Sequence, residues 1–190
     1  MSIDKPLFTG NLIKLGPIDH EKDPEVVARW THDAGFMRMM YTEPMRPLST
    51  WQAKKKLEEL EKSLEEEKNS FHFRIRALQD DRLLGFVELM WISWKNGIGN
   101  IRLGIGAEDD RHKGYGEEAL SMALRYAFRE LNLFRLTAII PDYNEPAKSL
   151  FKKMGFTEEV RRRQAVERDS RRWDLLHYGI LVEEWMESRK

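Results

Sequence analysis

The 190-residue chain contains no cysteine. Disulfide bonds, thiolate zinc sites and cysteine acyl-enzymes are therefore excluded, and a reducing compartment is compatible with this composition. The chain also lacks an excess of either charge, because 32 basic side chains balance 32 acidic ones. A formal net charge of zero gives no support to a nucleic-acid partner or to attraction by a charged membrane surface.

Long apolar runs are missing as well. No segment approaches the ~20 apolar residues that a membrane-spanning helix needs, and residues 1–10 have no apolar core of signal-peptide length. We therefore expect a soluble, cytoplasmic protein that associates with neither membranes nor nucleic acid. The chain shows no internal repeat and no low-complexity linker, so its length predicts one domain spanning residues 1–190.

Hydrophobic periodicity predicts strands that alternate with helices. Leu12, Ile13 and Leu15 indicate a first strand, and Trp51, Leu57 and Leu60 mark one face of a long helix that begins near Ser49. The predicted strands cover residues 11–18, 71–78, 83–94, 98–107, 135–140, 157–166 and 173–182, and the predicted helices begin at residues 24 and 49 and cover 117–131 and 145–154. Residues 31–47 show no regular pattern. This order predicts a mixed α/β sheet with helices on both faces.

The segment Arg111-His112-Lys113-Gly114-Tyr115-Gly116 lies between a predicted strand and a predicted helix. Glycines without Cβ atoms allow a tight turn, and a helix N-terminus directs backbone N–H groups and a partial positive charge toward an anion. A solvated turn with basic side chains is the alternative for so short a motif. The loop is therefore a candidate site for a phosphate-bearing ligand.

A second motif follows the next strand, where residues 144–156 read N-E-P-A-K-S-L-F-K-K-M-G-F. The order strand, basic glycine loop, helix, strand and N-x-x-A-x-x-L-F-x-x-x-G-F resembles the GNAT superfamily of acetyl-CoA-dependent N-acetyltransferases. The resemblance covers residues 84–182 well and the N-terminal third more loosely. It implies a mostly antiparallel sheet of about seven strands, in which residues 101–107 and 135–140 form a parallel pair that splays apart around the pantetheine arm.

The resemblance also implies a site for acetyl-CoA as cosubstrate, without a metal. Backbone N–H groups of the loop would wrap the pyrophosphate, strand residues would pair with the pantetheine amides, and Asn144 would bind the arm or cap the helix that follows it. Phe151 would lie against the pantetheine sulfur. The cofactor-binding residues expected from this resemblance are Gly104, Ile105, Gly106, Arg111, His112, Lys113, Gly114, Tyr115, Gly116, Asn144 and Phe151.

Phe151 departs from the family pattern, because many relatives carry a tyrosine there that protonates the departing thiolate. A phenyl ring has no proton to give. Tyr143 and Ser149 are nearby donors, and water is a third alternative. A thiolate with a pKa of ~8.5 is already a tolerable leaving group, so transfer does not require the missing acid.

The catalytic base is expected to be Glu88, because the strand on which some relatives carry a glutamate has none here. Alternation places Glu88 on the same face as Phe86 and Met90, where an unpaired carboxylate is costly. A salt bridge to Arg102 is the structural alternative. His177 is a second candidate base.

The acceptor is expected to be a primary amine. Residues 85–89 and the segment Tyr41-Thr42-Glu43-Pro44 are similar to bacterial spermidine acetyltransferases, in which acidic residues at these places help hold a polyamine. Trp91 stands where those enzymes often carry another acid. Substrate binding is predicted for Tyr41, Glu43, Glu88 and Trp91, with Trp94 beside them, through ion pairs and cation–π contacts. The chain also resembles enzymes that acetylate protein N-termini, and a homodimer is compatible with either branch.

Two other functions fit parts of the sequence. The spacing Gly114-x-Gly116-x-x-Ala119 matches a dinucleotide fingerprint, but charged residues 108–113 separate it from its strand, and the chain has too few βαβ units. An acyl-CoA-binding or regulatory protein without catalysis is favoured by Phe151 and by the missing strand glutamate.

Overall fold

The computed structural model describes residues 6–187. Its strands are β1 (Ile13–Gly16), β2 (Phe71–Ala77), β3 (Leu83–Ser93), β4 (Ile98–Ile105), β5 (Arg135–Pro141), β6 (Thr157–Arg168) and β7 (Arg171–Leu181). Its α-helices are α1 (Pro24–His32), α2 (Ala34–Met40), α3 (Thr50–Glu66), α4 (Tyr115–Arg125), α5 (Glu145–Lys153) and α6 (Val182–Glu187). Over the described residues, no helix is both long enough and apolar enough to cross a membrane.

The seven strands form one sheet in the order β1-β2-β3-β4-β5-β7-β6. Neighbouring strands are antiparallel except β4 and β5, which are parallel. In these two strands, Ile98–Asn100 of β4 pair with Arg135–Thr137 of β5. Beyond these residues the two strands part. The mostly antiparallel sheet with a splayed parallel pair, which the resemblance implied, is thus confirmed.

Each face of the sheet buries a different set of side chains. The larger core contains Leu120 and Leu124 of α4, Val87 of β3 and Trp185 of α6. A smaller core on the other face joins α1 and α2 to β3 and contains Trp30, Phe36, Met37, Leu83 and Phe86. Because strand side chains alternate, Val87 and Leu89 lie in the larger core while Phe86 lies in the smaller one.

The structure contains two helices that were not predicted, and several other elements end at different residues from those predicted. Helix α2 lies inside residues 31–47, which had no regular pattern, and its N-cap Asp33 accepts a hydrogen bond from the backbone of Phe36. Helix α4 ends in a π-helical turn at Tyr126–Glu130, and α6 follows β7 without a predicted counterpart. Strands β6 and β7 extend to a two-residue turn of Asp169 and Ser170, whose φ values of 51° and 58° match the strand twist of a tight hairpin.

Candidate active site

The glycine loop ends at the first turn of α4. Gly114 is the N-cap residue, with a φ of 86° that favours glycine, and no side chain of the described residues 6–187 caps this helix. His112 also has a positive φ of 62°. The first N–H groups of a helix have no intrahelical acceptor, so those of Tyr115 and Gly116 are available to an anion.

Arg111 does not extend into solvent beside this helix terminus. Its guanidinium donates to the carbonyls of Ile105 and Gly106 at 3.3 and 2.6 Å, and to Asp33 Oδ2 at 2.8 Å. The side chain therefore fastens the loop to the end of β4 and to the start of α2. Lys113 and His112 are exposed and carry the remaining basic character of the loop.

The end of β4 forms one wall of the gap between the splayed strands. The backbone N–H of Gly106 donates to Leu84 of β3 at 2.9 Å. Because donors alternate along a strand, the N–H of Ile105 lies on the opposite edge and faces the gap. Of the three strand residues predicted to pair with pantetheine amides, Ile105 thus has its amide turned to the gap and Gly106 has its amide turned to β3.

The space beside Gly104 and Gly106 is filled by side chains of the same chain. A Cβ atom on Gly106 would lie 1.9 Å from the Trp30 ring, and one on Gly104 would lie 2.8 Å from Met40 Sδ. Both glycines therefore allow α1 and α2 to pack closely against β4.

An apolar surface lines the gap on the α4 side. A Cβ atom on Gly116 would lie 3.5 Å from Leu103 Cδ1 and 3.7 Å from Ile105 Cγ1 and Leu150 Cδ2. Phe151 is buried in the larger core. Its ring meets the Phe156 ring edge to face, with 4.9 Å between the ring centroids.

Glu88 is buried, as its place among apolar neighbours on β3 predicted, and it is paired. Arg102 donates to Glu88 Oε2 at 2.6 and 3.0 Å, and His72 Nδ1 lies 3.3 Å from Oε1. Burial opposes ionisation of this carboxyl, but the hydrogen bond from His72 and the charge of Arg102 outweigh it and lower its pKa to about 2. A carboxylate with so low a pKa is a weak base.

Tyr41 belongs to the same cluster, because its ring lies under the Arg102 guanidinium at 5.1 Å. Burial raises the pKa of Tyr41. Glu43 and Trp91 are exposed, and no hydrogen bond, ion pair or ring contact of the described residues joins either of them to Glu88. The structure thus brings Tyr41 and Glu88 together through Arg102 and leaves Glu43 and Trp91 outside this cluster. His177 lies on β7, beyond β5 from the cluster.

Tyr143 and Asn144 follow β5 on the other side of the gap. The Tyr143 hydroxyl donates to the Arg38 carbonyl at 2.8 Å. Asn144 Oδ1 accepts from the Ala147 backbone at 3.1 Å, which caps α5, and its Nδ2 donates to the Met39 carbonyl at 3.1 Å. The capping role expected for Asn144 is therefore present. Ser149 is exposed on α5.

A cleft of ≈ 230 Å³ lies beside α2. Its lining combines apolar side chains with three charged ones, and the charged residues are Arg38, Glu43 and Arg168. Arg38 is paired with Asp169 at 3.1 Å, and Arg168 donates to the carbonyls of Tyr41 and Thr42 at 2.9 and 2.7 Å. Glu43 supplies the carboxylate of this cleft. Among the described residues, no ion pair neutralises this carboxylate.

Several residues that shape the gap have no motif or spacing that marks them in the sequence. Trp30 and Met40 fill the space beside Gly106 and Gly104. Arg168 lies at the end of β6, in the hairpin that joins β6 to β7, called here the far hairpin, and it contacts the segment that follows α2. Contacts between residues this far apart in the chain leave no periodic signal in a single sequence. The sequence held one hint of the contact with Trp30. Glycines at alternate positions 104 and 106 can indicate that a bulky group packs closely against one face of a strand.

A family model for the acetyltransferase (GNAT) domain matches residues 13–157. Among curated proteins, the chain is 36% identical to the N-acetyltransferase YnaD of Bacillus subtilis over 75 residues, which is 40% of this chain and 44% of YnaD. It is 28% identical to spermidine N(1)-acetyltransferase of Escherichia coli over 147 residues, which is 77% of this chain and 74% of that protein. Its matches span 44%, 66% and 54% of the lengths of three curated relatives.

Among solved structures, the fold is similar to spermidine N-acetyltransferase from Vibrio cholerae in complex with CoA and spermine. The two share a TM-score of 0.78 and 22% identity over 92% of this chain and 98% of that one. A probable acetyltransferase of known structure has a TM-score of 0.80, with 22% identity over 93% and 96% of the two chains.

Proposed function

The chain belongs to the GNAT family of N-acetyltransferases, and we propose that it moves the acetyl group of acetyl-CoA to a primary amine by direct attack in a ternary complex. The observation that carries this proposal is the gap between β4 and β5, which opens beside the uncapped first turn of α4. An extended arm fits between parted strands, and phosphates suit a helix start whose N–H groups have no acceptor.

We assign the acetyl-CoA phosphates to the backbone of the loop from Arg111 to Gly116. Lys113 adds its exposed charge, whereas Arg111 acts by holding the loop against α2 and β4. The N–H of Ile105 would pair with the arm in the manner of an added strand. Leu103 and Leu150 would contact the arm along the apolar side of the gap, and the Phe151 ring would lie behind them.

The chemistry requires no acyl-enzyme. The amine nitrogen forms a bond to the thioester carbonyl carbon, the carbon–sulfur bond breaks, and the sulfur leaves with the electron pair as CoA thiolate. Water takes the proton that the attacking ammonium must lose, because Glu88 with its pKa of about 2 is too weak a base for this role. The thiolate has a pKa of ~8.5 and leaves without protonation near neutral pH.

The amine cation would bind at the cleft beside α2. Glu43 supplies its unneutralised carboxylate, whereas the Tyr41 ring, two residues earlier in the chain, lies against Arg102 of β4. Glu88 is already matched by the charge of Arg102, so it contributes little charge to a cationic acceptor. We propose a polyamine or a protein N-terminus as acceptor, since the relatives of this chain include a spermidine N(1)-acetyltransferase and a putative ribosomal N-acetyltransferase.

The test is CoA release from acetyl-CoA with a panel of polyamines, aminoglycosides, amino acids and N-terminal peptides. We expect turnover with at least one polyamine or peptide. Tight acetyl-CoA binding without turnover on any amine would contradict the proposal. It would favour the alternative that the buried Phe151 also suggests, an acyl-CoA-binding protein without catalysis.

Substitution of Glu43 by Gln tests the acceptor cleft. Because a hydrogen bond to a charged group contributes roughly 1.5–3 kcal/mol, we expect the KM for the amine to rise at least tenfold while that for acetyl-CoA stays unchanged. Steady-state kinetics with both substrates varied measures the split. Equal increases in both values would argue against an acceptor role for Glu43.

A further inference from the structure

The six residues 38–43, called here the bridging segment, contact both walls of the gap. On the β4 side, Met40 covers Gly104, and the Tyr41 ring lies under Arg102. On the β5 side, the carbonyls of Arg38 and Met39 accept hydrogen bonds from Tyr143 and Asn144. Strands β4 and β5 make no backbone pairing at this level, so the segment links two walls that the sheet leaves apart.

Tyr143 is held in this arrangement from two directions. Its hydroxyl donates to the Arg38 carbonyl at 2.8 Å, and its ring meets the Trp173 ring edge to face at 5.5 Å between centroids. A phenol has a single proton to donate. While the hydroxyl donates its hydrogen bond to the Arg38 carbonyl, Tyr143 cannot also donate that proton to a thiolate.

Asn144 divides its amide between two tasks. The oxygen caps α5, and the nitrogen donates to the Met39 carbonyl at 3.1 Å. The residue is buried, so an amide N–H without an acceptor would be costly here. Helix α5 and the bridging segment are thus fixed to each other through one side chain.

The far hairpin supports the same segment. Arg168 donates to the carbonyls of Tyr41 and Thr42, and Asp169 pairs with the Arg38 side chain. Glu43, whose carboxylate we assign to the amine, directly follows these anchored residues. Its position depends on the anchors because they fix the backbone that carries it.

We propose that Tyr143 and Asn144 are positioning residues that hold the bridging segment for the amine acceptor. They act through the carbonyls of Arg38 and Met39. This inference rests on the proposed function, because it concerns the same acceptor. It gives the two residues a role on the acceptor side of the reaction, and the second N–H of Asn144 stays available to the pantetheine arm.

The test compares two variants that each remove one donor. Tyr143→Phe keeps the ring and loses the hydroxyl, and Asn144→Asp keeps a capping oxygen and loses the N–H donor. A net hydrogen bond is worth about 0.5–1.5 kcal/mol, so we expect the amine KM to rise roughly two- to tenfold in each variant. In Tyr143→Phe, the KM for acetyl-CoA and the pH profile of kcat should stay as in the natural protein.

Tyr126→Phe is the matched control, because it removes a phenol hydroxyl from a ring that packs on Phe8, Phe71 and Phe73, away from the bridging segment. Its kinetics should not change. Hydrogen exchange gives a second readout: amides of residues 34–43 should exchange faster in Tyr143→Phe and Asn144→Asp than in the control.

A drop in kcat for Tyr143→Phe with loss of the alkaline limb of its pH profile, at constant amine KM, would identify a general acid and overturn the inference. So would a rise in the acetyl-CoA KM of Asn144→Asp at a constant amine KM. If the natural protein transfers acetyl to no amine, the proposed function itself fails. Turnover with unchanged amine KM in both variants would remove the positioning role only.

Discussion

At the residue scale, Glu88 shows how a side chain of catalytic type can serve structure. Strand alternation predicted its burial, and Arg102 neutralises it in place, with His72 Nδ1 at 3.3 Å from the other carboxylate oxygen. Breaking a buried ion pair by removing one partner leaves the other charge without compensation in a poorly solvated site. The low pKa of Glu88 therefore reports a contribution to stability more than readiness to accept a proton.

Glu88→Gln should lower stability in a pH-dependent way. A carboxyl whose pKa falls from 4.5 to about 2 on folding stabilises the native state by roughly 3 kcal/mol above pH 4.5. That contribution is lost as the pH falls from 4.5 toward 2. Urea unfolding at pH 7, 4 and 3 should show a difference between the natural protein and the variant that is largest at pH 7 and falls to less than about half of that value at pH 3.

Glu43→Gln is the control for this measurement, because it removes the same charge from an exposed residue. Its free energy of unfolding should stay within about 0.5 kcal/mol of the natural value. A constant difference between Glu88→Gln and the natural protein at all three pH values would contradict the ion-pair explanation.

Phe151→Tyr tests whether the enzyme lacks an acid. Its ring packs on Phe156 inside the core, so an added hydroxyl has few polar partners and should reduce stability by about 1–3 kcal/mol. A well-placed general acid contributes about 10²–10⁴-fold, but we expect the single-turnover rate to change by less than about tenfold. A hundredfold gain would indicate that the natural protein is chiefly a binding protein.

At the element scale, the loop before α4 is held from both ends. Asp110 is buried and receives two hydrogen bonds from Arg82 at 2.5 and 2.8 Å, and Arg111 fastens the next position to α2 and β4. Between these anchors and the helix, His112 and Gly114 adopt positive φ values. The loop thus keeps a fixed shape with its backbone exposed, as a site that binds through N–H groups requires.

Gly114→Val should weaken acetyl-CoA binding at least tenfold, because a β-branched residue at a φ of 86° strains the loop and covers its backbone. Calorimetry on the folded variant measures the affinity. Gly155→Val is the matched control: its φ is 92°, and it lies at the far end of α5. Both variants should lose stability, and affinity should fall only in Gly114→Val. Equal affinities would remove the loop from the site.

At the scale of the whole molecule, the parted strands explain why α1, α2 and the far hairpin matter. A sheet closed between β4 and β5 would need no side-chain links across this position. Here the bridging segment and Arg168 supply them, while the larger core joins α4 to the sheet on the opposite face. A ligand that fills the gap would add contacts to both walls and so stabilise the fold as a whole.

Acetyl-CoA should therefore raise the melting temperature without any metal. Ligand at one hundred times its Kd stabilises the native state by about 2.7 kcal/mol. For a protein of this size such a gain corresponds to a shift of roughly 5–10 °C. The described residues contain no cluster of three or more His, Asp or Glu side chains for a metal, so EDTA should leave the shift unchanged. A shift abolished by EDTA would contradict backbone binding of the phosphates.

The sequence by itself determined the order of the seven strands, the burial of Glu88 and the place of the glycine loop. These features follow from local rules: the period of apolar residues, the alternation of a strand and the conformational freedom of glycine. The two linked motifs were specific enough to identify the family.

The tertiary structure alone decided which side chains meet. Trp30 fills the space at Gly106, Arg168 reaches the carbonyls after α2, and Tyr143 donates to Arg38 across more than one hundred residues. Helix α2 was missed because seven residues are too few for a clear period, and its stability comes from packing on β3 and from the anchors on its carbonyls. Local spacing fixes how a residue faces its own strand or helix, whereas its partners depend on how distant elements pack.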